Sequence, residues 1–224
     1  MTLFLDTANL VEVESYLKWG CFKGVTTNQE IFKKSGEKYS KDNYHRHIRR
    51  ICELCEGLPV SVELTGSVLG AVDEAKTLSH LADNVVIKVP MWNNGSGLKI
   101  IHELDKQKIK TNATVLMKSS QAIMAAEAGA DYVSLFYRRI CDAHSLEYAK
   151  KAFTDTRKYL DDQGLKGRII AGSIRQTNDI LSVFKAGAHI VTVKPALLES
   201  LVNDPSTEKT IAEFDNAWKE YTRG

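Results

Sequence analysis

The stretch Asn84-Val85-Val86-Ile87-Lys88-Val89-Pro90 places one lysine inside an apolar, β-branched run that ends at a proline. A run of this kind predicts a strand that is buried on both faces. Burying an unpaired ammonium costs several kcal/mol, so a buried lysine tends to lose its proton. The neutral amine is then a nucleophile that can form a Schiff base with a carbonyl. The structural alternative is that Lys88 reaches the strand end or pairs with a carboxylate.

Short strands alternate with helical stretches on both sides of this lysine strand. The apolar runs predict eight strands: Leu3–Asp6, Gly24–Thr27, Pro59–Leu64, Val85–Val89, Ile109–Val115, Tyr132–Phe136, Arg168–Ala171 and His189–Val193. Between and after them the sequence predicts helices at Leu10–Trp19, Tyr44–Cys55, Val68–Ala82, Gly97–Gln107, Ser119–Ala128, Leu146–Asp162, Asn178–Ala186, Ala196–Leu201 and Glu208–Tyr221.

Eight strands separated by helices, without a long linker or a composition break, predict one α/β domain over residues 1–224 with the (β/α)8 TIM-barrel architecture. A doubly wound open sheet is the competing fold. It would more naturally carry a glycine-rich phosphate loop after the first strand, and Asp6-Thr7-Ala8-Asn9 is not such a loop. An additional C-terminal helix at about residues 208–222 is not needed to close a barrel. It could cover one barrel end or reach a neighbouring subunit.

The 224-residue chain has an ordinary globular composition and a formal net charge of +2. This charge gives no reason to expect nucleic acid or an anionic membrane as a partner. The sequence runs from Met1 straight into the first strand without a leader pattern, and no apolar run approaches the ~20 residues of a membrane span. A cytoplasmic protein without a signal peptide is therefore expected.

The cysteine and histidine patterns give no support for a metal or redox site. Cys52 and Cys55 form a single CxxC inside a helical pattern, with no second pair to complete a zinc site. Reduced helix cysteines of a cytosolic protein are the simpler interpretation. The six histidines form no HExxH motif, and no motif for hydride transfer is present. We therefore predict neither a metal nor a cofactor.

Polar residues gather where the predicted strands end. Any one of them has a structural explanation, since a polar residue at a strand end often caps a helix or forms a turn. In a (β/α)8 barrel, however, all the carboxyl ends of the strands meet at one mouth, where active sites form. The residues that converge there are Asp6, Asn28, Glu63, Lys88, Asn112, Thr114, Ser134, Arg139, Ser173 and Arg175.

The chemistry of this set is consistent. An amine that attacks a ketone needs proton donors and acceptors nearby to expel water, and carboxylates suit that work. Amide side chains can hold sugar hydroxyls without adding charge. Two arginines, a serine hydroxyl and the N–H groups at a helix start would bind an anion. Together these groups favour an enzyme that acts on a phosphorylated ketose.

The chain resembles the transaldolase family, in particular its short, single-barrel members that include fructose-6-phosphate aldolase. The similarity covers essentially the whole chain. The matching segments are Leu5-Asp6-Thr7-Ala8-Asn9, Gly24-Val25-Thr26-Thr27-Asn28, Val86-Ile87-Lys88-Val89-Pro90, Asn112-Ala113-Thr114, Tyr132-Val133-Ser134-Leu135-Phe136 and Gly172-Ser173-Ile174-Arg175.

The resemblance implies that Lys88 forms the Schiff base with a ketose donor. Asp6 is implied as the acid/base at the hydroxyl where the carbon–carbon bond breaks, and Glu63 with Thr114 as the residues that position a catalytic water. The implied substrate-binding residues are Asn28 and Asn112 at the dihydroxyacetone unit, Ser134 and Phe136 along the pocket, and Arg139, Ser173 and Arg175 at the phosphate.

Two positions bear on the type of reaction that the resemblance implies. Glutamate at position 63 and phenylalanine at position 136 are similar to the transaldolases, whereas the aldolase branch carries glutamine and tyrosine there. Transfer of a dihydroxyacetone unit to an aldose is therefore expected rather than net cleavage. Aldolase-type cleavage and a barrel that binds a sugar phosphate without reacting are the alternatives.

Several positions depart from the family pattern. The family's usual Thr-Thr-Asn-Pro-Ser reads Thr-Thr-Asn-Gln29-Glu30 here, and Arg138 stands where a glycine is usual. Trp92, Lys118 and Lys194 are also expected near the barrel mouth. The extra cations are either surface residues or an indication that the anionic tail is not an ordinary phosphate or that the sugar is unusual. A sulfonated ketose would need a similar set of anion-binding groups.

The last predicted helix carries Phe214, Trp218 and Tyr221 on one face. Such an apolar stripe can pack against the same barrel or against another subunit. The resemblance implies a homo-oligomer, a pentamer or a decamer, with this helix in the contacts.

Overall fold

The computed structural model describes residues 2–34 and 38–223. Within these residues eight parallel strands form one closed barrel in chain order, and the last strand pairs with the first. The (β/α)8 fold predicted from the sequence is thus confirmed. The strands are β1 (Thr2–Asp6), β2 (Phe22–Thr26), β3 (Val60–Glu63), β4 (Val85–Pro90), β5 (Thr111–Leu116), β6 (Tyr132–Phe136), β7 (Arg168–Gly172) and β8 (Ile190–Val193).

Most helices between the strands pack on the outer face of the barrel, and two further helices follow the last strand. They are α1 (Leu10–Leu17), α2 (Gln29–Lys34), α3 (Lys41–Leu54), α4 (Ala71–Ser79), α5 (Ser96–Lys106), α6 (Ser119–Glu127), α7 (Tyr137–Ala143), α8 (Leu146–Gln163), α9 (Thr177–Lys185), α10 (Glu199–Val202) and α11 (Pro205–Tyr221). In the part of the chain that the structure describes, no helix is long and apolar enough to cross a bilayer.

The barrel forms because its strands are apolar on both faces. β4 is buried from Val85 to Val89, so Lys88 is enclosed with its neighbours, as its sequence context predicts. The strand register then fixes which polar residues meet. Lys88 lies beside Glu63 of β3 on one side and beside Asn112 of β5 on the other. Three polar side chains of adjacent strands therefore share one layer of an otherwise apolar barrel.

Two short helices were not predicted. α2 is preceded by Asn28, whose Oδ1 accepts a 3.0 Å hydrogen bond from the N–H of Ile31, so the sequence does carry a cap signal for this helix. α7 begins directly after β6 without a side-chain cap, so it lacks the Ser, Thr, Asp or Asn that marks a helix start. The predicted 196–201 helix is split into a 3-10 turn, Pro195–Leu197, and α10. α2 and α7 both lie at the barrel mouth, where they carry Glu30 and Arg139.

The C-terminal helix α11 begins at Pro205. Asp204 caps its N-terminus, since the side chain accepts hydrogen bonds from the N–H groups of Ser206 and Thr207. It has no buried residue. Its apolar face is exposed along its length, at Ile211, Phe214, Trp218 and Tyr221. An exposed apolar stripe of this length is typical of a contact surface.

We expect α11 to hold copies of the chain together in solution. Phe214→Asp should shift the sedimentation coefficient toward the monomer, because burying a phenylalanine contributes about 1.5–3 kcal/mol and an aspartate there would have to be desolvated. Asn216→Asp adds the same charge on the opposite face of the helix and should leave the assembly unchanged. Wild-type protein that sediments as a monomer would contradict the expectation.

Candidate active site

Lys88 is the most deeply enclosed cation of the barrel, with 5% of its surface exposed. Its Nζ lies 2.9 Å from Oε2 of Glu63, and it donates a 3.1 Å hydrogen bond to the carbonyl oxygen of Thr27. The pairing with a carboxylate, which was the structural alternative for this lysine, is therefore present. The partner is itself one of the predicted catalytic acids, so pairing and catalysis are compatible.

Asp6 lies at the end of β1, where it faces the same space as Lys88. Its Oδ1 accepts a 2.8 Å hydrogen bond from the Thr26 hydroxyl, which comes from the register partner of Asp6 on β2. Burial raises the pKa of Asp6 above the ordinary value for an aspartate, although Lys88, the Thr26 hydroxyl and Lys194 act in the opposite direction. The negative charge of Glu30 raises the pKa further. A carboxyl whose pKa is raised is a better proton acceptor than an ordinary aspartate.

The wall beside Lys88 is a chain of polar side chains. The Ser134 hydroxyl donates to Oδ1 of Asn112 at 2.7 Å, and Nδ2 of Asn112 donates to the Ser61 hydroxyl at 3.1 Å. These bonds orient the Asn112 amide inside the barrel. Thr114, further along β5, is fully buried, and its hydroxyl has no hydrogen-bond partner among the described residues.

One cavity at the barrel mouth brings most of the predicted residues together. Seven of them line it: Asp6, Asn28, Lys88, Ser134, Phe136, Arg139 and Ser173. Of the other predicted residues, Glu63, Asn112 and Thr114 do not line this cavity. Glu63 contacts the lining residue Lys88, and Asn112 contacts the lining residue Ser134. Additional lining residues are Thr26, Glu30, Gly172, Thr192 and Lys194.

The end of this cavity that carries Arg139 and Lys194 has two cations, and the carboxylate of Glu30 lies near both. The guanidinium of Arg139 lies 5.8 Å from the ring centroid of Phe136. Ser173 has a φ of +58°, a left-handed conformation that is uncommon for a residue with a side chain and that turns the chain sharply after β7. Lys194 completes this part from the end of β8. These groups could bind an anion.

Arg175 is placed differently from the other predicted residues. Its Nη2 pairs with Oδ2 of Asp142 at 2.7 Å, and half of its side chain is exposed. It is not among the residues that line the cavity. Its proposed role at the anion remains a prediction.

Sequence reasoning missed Thr26 and Thr192 as cavity residues. Their hydroxyls contact each other, and Thr26 also holds Asp6. The signal was present in the period of the strands, because Thr26 stands two residues before Asn28 and Thr192 two residues before Lys194. Alternate residues of a strand point to the same face.

Comparison with known proteins places this arrangement in a family. The profile of the family described as Transaldolase/Fructose-6-phosphate aldolase matches residues 3–223. The chain belongs to this family. It is 37% identical to a probable transaldolase of Kosmotoga olearia, with 100% of this chain and 99% of the relative covered, and 38% identical to a probable transaldolase 2 of Listeria monocytogenes, with 100% and 98% covered.

Among solved structures, the chain resembles thiamine phosphate pyrophosphorylase from Pyrococcus furiosus, with a TM-score of 0.61 and 14% sequence identity over 86% of this chain and 85% of that one. At this identity the likeness shows the barrel fold alone.

Charges of opposite sign shift the pKa of Asp6 in opposite directions, so two substitutions together test this description of the site. In a carboxyl ¹³C NMR titration, the Asp6 midpoint should lie above that of an ordinary aspartate. Glu30→Gln removes a charge that raises the pKa, so the midpoint should fall, whereas Lys194→Met removes a charge that lowers the pKa, so the midpoint should rise. Lys185→Met on α9 is the control and should leave it unchanged. Shifts of the same sign in both mouth variants would contradict this electrostatic description.

Proposed function

We propose that this protein is a transaldolase in which Lys88 takes a dihydroxyacetone unit from an anionic ketose as a Schiff base and transfers it to an aldose. The observation that supports this most directly is the buried Lys88 paired with Glu63 at 2.9 Å and facing one cavity with Asp6. The family to which the chain belongs is consistent with it.

Imine formation begins at the ion pair. When Lys88 passes its proton to Glu63, directly or through water, the neutral amine can attack the ketone carbon of the donor. The carbinolamine then loses water, for which Glu63 returns a proton to the departing hydroxyl. The Thr114 hydroxyl, buried without a protein partner in the described chain, would hold the water that carries these protons.

Carbon–carbon cleavage requires a base at the far side of the imine. Asp6 would accept the proton of the C4 hydroxyl, the bond between C3 and C4 would break, and its electron pair would enter the protonated imine to give an enamine. The aldose leaves with its new aldehyde. A second aldose is then attacked by the enamine carbon, Asp6 returns the proton to the new hydroxyl, and water hydrolyses the imine to free Lys88.

The remaining polar residues would hold the substrate in place. Asn28 and Asn112 would bind the hydroxyls of the dihydroxyacetone unit, with Ser134 orienting Asn112 through its 2.7 Å hydrogen bond. Phe136 would form one wall of the cavity. Holding the donor in a reactive geometry contributes substantially to the rate.

The anionic tail of the donor would lie among Arg139, Ser173 and Lys194, which all line the cavity. A phosphate or a sulfonate fits this chemistry, since both accept several hydrogen bonds. Arg175 could join them only by leaving Asp142.

Aldolase-type cleavage is the second candidate, with water instead of an aldose ending the cycle. Glu63 and Phe136 favour transfer. Release of free dihydroxyacetone without an acceptor, at a rate close to that of transfer, would favour cleavage. A non-catalytic barrel is the third candidate, and it predicts sugar-phosphate affinity that survives the loss of Lys88.

A cytoplasmic location also remains proposed, and the four cysteines are free thiols, as expected in a reducing compartment.

The first experiment is borohydride trapping followed by intact mass, with fructose 6-phosphate, sedoheptulose 7-phosphate and a 6-sulfonated fructose. At least one ketose should leave a reduced dihydroxyacetone adduct on Lys88. The ketose that forms the adduct fastest would be identified as the donor. Lys88→Met should remove the adduct, because no other amine replaces the nucleophile. Folded wild-type protein that gives no adduct with any ketose, or Lys88→Met with full transfer activity, would overturn the proposal.

A further inference from the structure

A second buried ion pair lies just outside the cavity, between Arg138 of α7 and Asp179 of α9. Nε of Arg138 donates to Oδ2 of Asp179 at 2.8 Å, and Nη2 donates to Oδ1, so the pair is bidentate. Asp179 is only 2% exposed, whereas the Arg138 side chain is 26% exposed. A bidentate guanidinium–carboxylate pair fixes both distance and orientation.

Asp179 also holds the turn that follows β7. Its Oδ2 accepts hydrogen bonds at 3.1 Å from the backbone N–H groups of Arg175 and Gln176. Arg138 contacts the same turn at two further points. Its Nη2 donates to Oε1 of Gln176 at 2.7 Å, and its backbone N–H donates to the carbonyl oxygen of Ser173 at 3.3 Å.

The two elements joined in this way each contribute one side of the cationic end of the cavity. Arg139 is the neighbour of Arg138 on α7, and Ser173 begins the turn that Asp179 holds. Arg138 and Asp179 are not among the residues that line the cavity. They therefore do not contact an anion in the cavity directly, and they can position one through Arg139 and Ser173.

We infer that the Arg138–Asp179 pair is a positioning pair for anionic substrates: it sets the spacing of Arg139 and Ser173, the groups that bind the phosphate or sulfonate tail. The inference rests on the proposed function. It requires the pair to matter for substrates that carry this anion and not for the Schiff-base chemistry at Lys88. A purely structural pair would affect all substrates equally.

Two donors separate these roles. Fructose 6-phosphate uses the anion-binding end, whereas dihydroxyacetone is uncharged and can form the same imine on Lys88 without it. The quantity measured for each donor is the second-order rate constant of borohydride trapping, determined at donor concentrations below saturation. Inhibition of dihydroxyacetone trapping by inorganic phosphate gives an independent measure of anion binding.

Arg138→Gln, which keeps an amide near Asp179 but loses the bidentate charge, should lower trapping of fructose 6-phosphate by roughly 10- to 100-fold, since a small displacement of positioning groups has effects of that order. Trapping of dihydroxyacetone should stay within about twofold, because the anion-binding end is not used. Inorganic phosphate should inhibit the variant less strongly. Asp179→Asn, which can still accept from the turn, should show the same selectivity.

Arg50→Met is the matched control. Arg50 forms an exposed pair with Glu53 on α3, at 2.9 Å, and its loss should change neither donor. Equal losses for both donors in Arg138→Gln and Asp179→Asn would overturn the inference, and so would unfolding of both variants by circular dichroism. Failure of wild-type protein to trap either donor would instead reject the proposed function.

Discussion

The arrangement of the candidate site is centred on the contact between Lys88 and Glu63 inside the barrel. A charged pair that is 6% and 12% exposed at its two side chains has lost most of its hydration, and such pairs add little stability over apolar residues of similar size. The surrounding apolar strands must therefore supply the stability that the pair does not. The strands form a closed barrel, so the sheet has no free edge strand. The register of β3 and β4 holds Glu63 and Lys88 beside each other. A loop could not hold a pair of this kind in place.

The layer that contains Lys88 explains the arrangement of the site above it. The two strands beside β4 each add one polar group next to Lys88, the Glu63 carboxylate on β3 and the Asn112 amide on β5. The carboxyl group of Asp6 on β1 lies across the mouth of the barrel. Asp6 receives its hydrogen bond from Thr26 of the next strand. Burial and Lys88 dominate the effect on the pKa of Asp6, and Glu30 on α2 and Lys194 after β8 adjust it further from outside the layer. The predicted catalytic groups thus lie on the strands, and the two outer charges that affect the pKa of Asp6 are exposed.

Much of this could be predicted from the chain. The alternation of apolar runs and helical patterns was sufficient for the barrel, and the polar residue at each strand end was sufficient for most of the cavity, because parallel strands carry their ends to one place. α7 could not be predicted, since it is short and uncapped. α2 is also short, but its cap residue Asn28 is present in the sequence, where it was interpreted as a turn or substrate-binding residue. The orientation of Arg175 could not be predicted either, because it depends on Asp142, which is distant in sequence and belongs to α7. Side-chain partners across loops follow from the assembled fold and not from local pattern.

The tie between α7 and the turn after β7 has a consequence for how such an enzyme can change over time. Both elements lie outside the strands, and Arg138 and Asp179 contact neither Lys88 nor Glu63. Under the proposed roles, substitutions there would alter which charged tail is accepted without changing the residues proposed for the carbon–carbon chemistry. A lineage could therefore acquire a new sugar as a nutrient through a few changes at two adjacent surface elements, and a protein engineer could follow the same route.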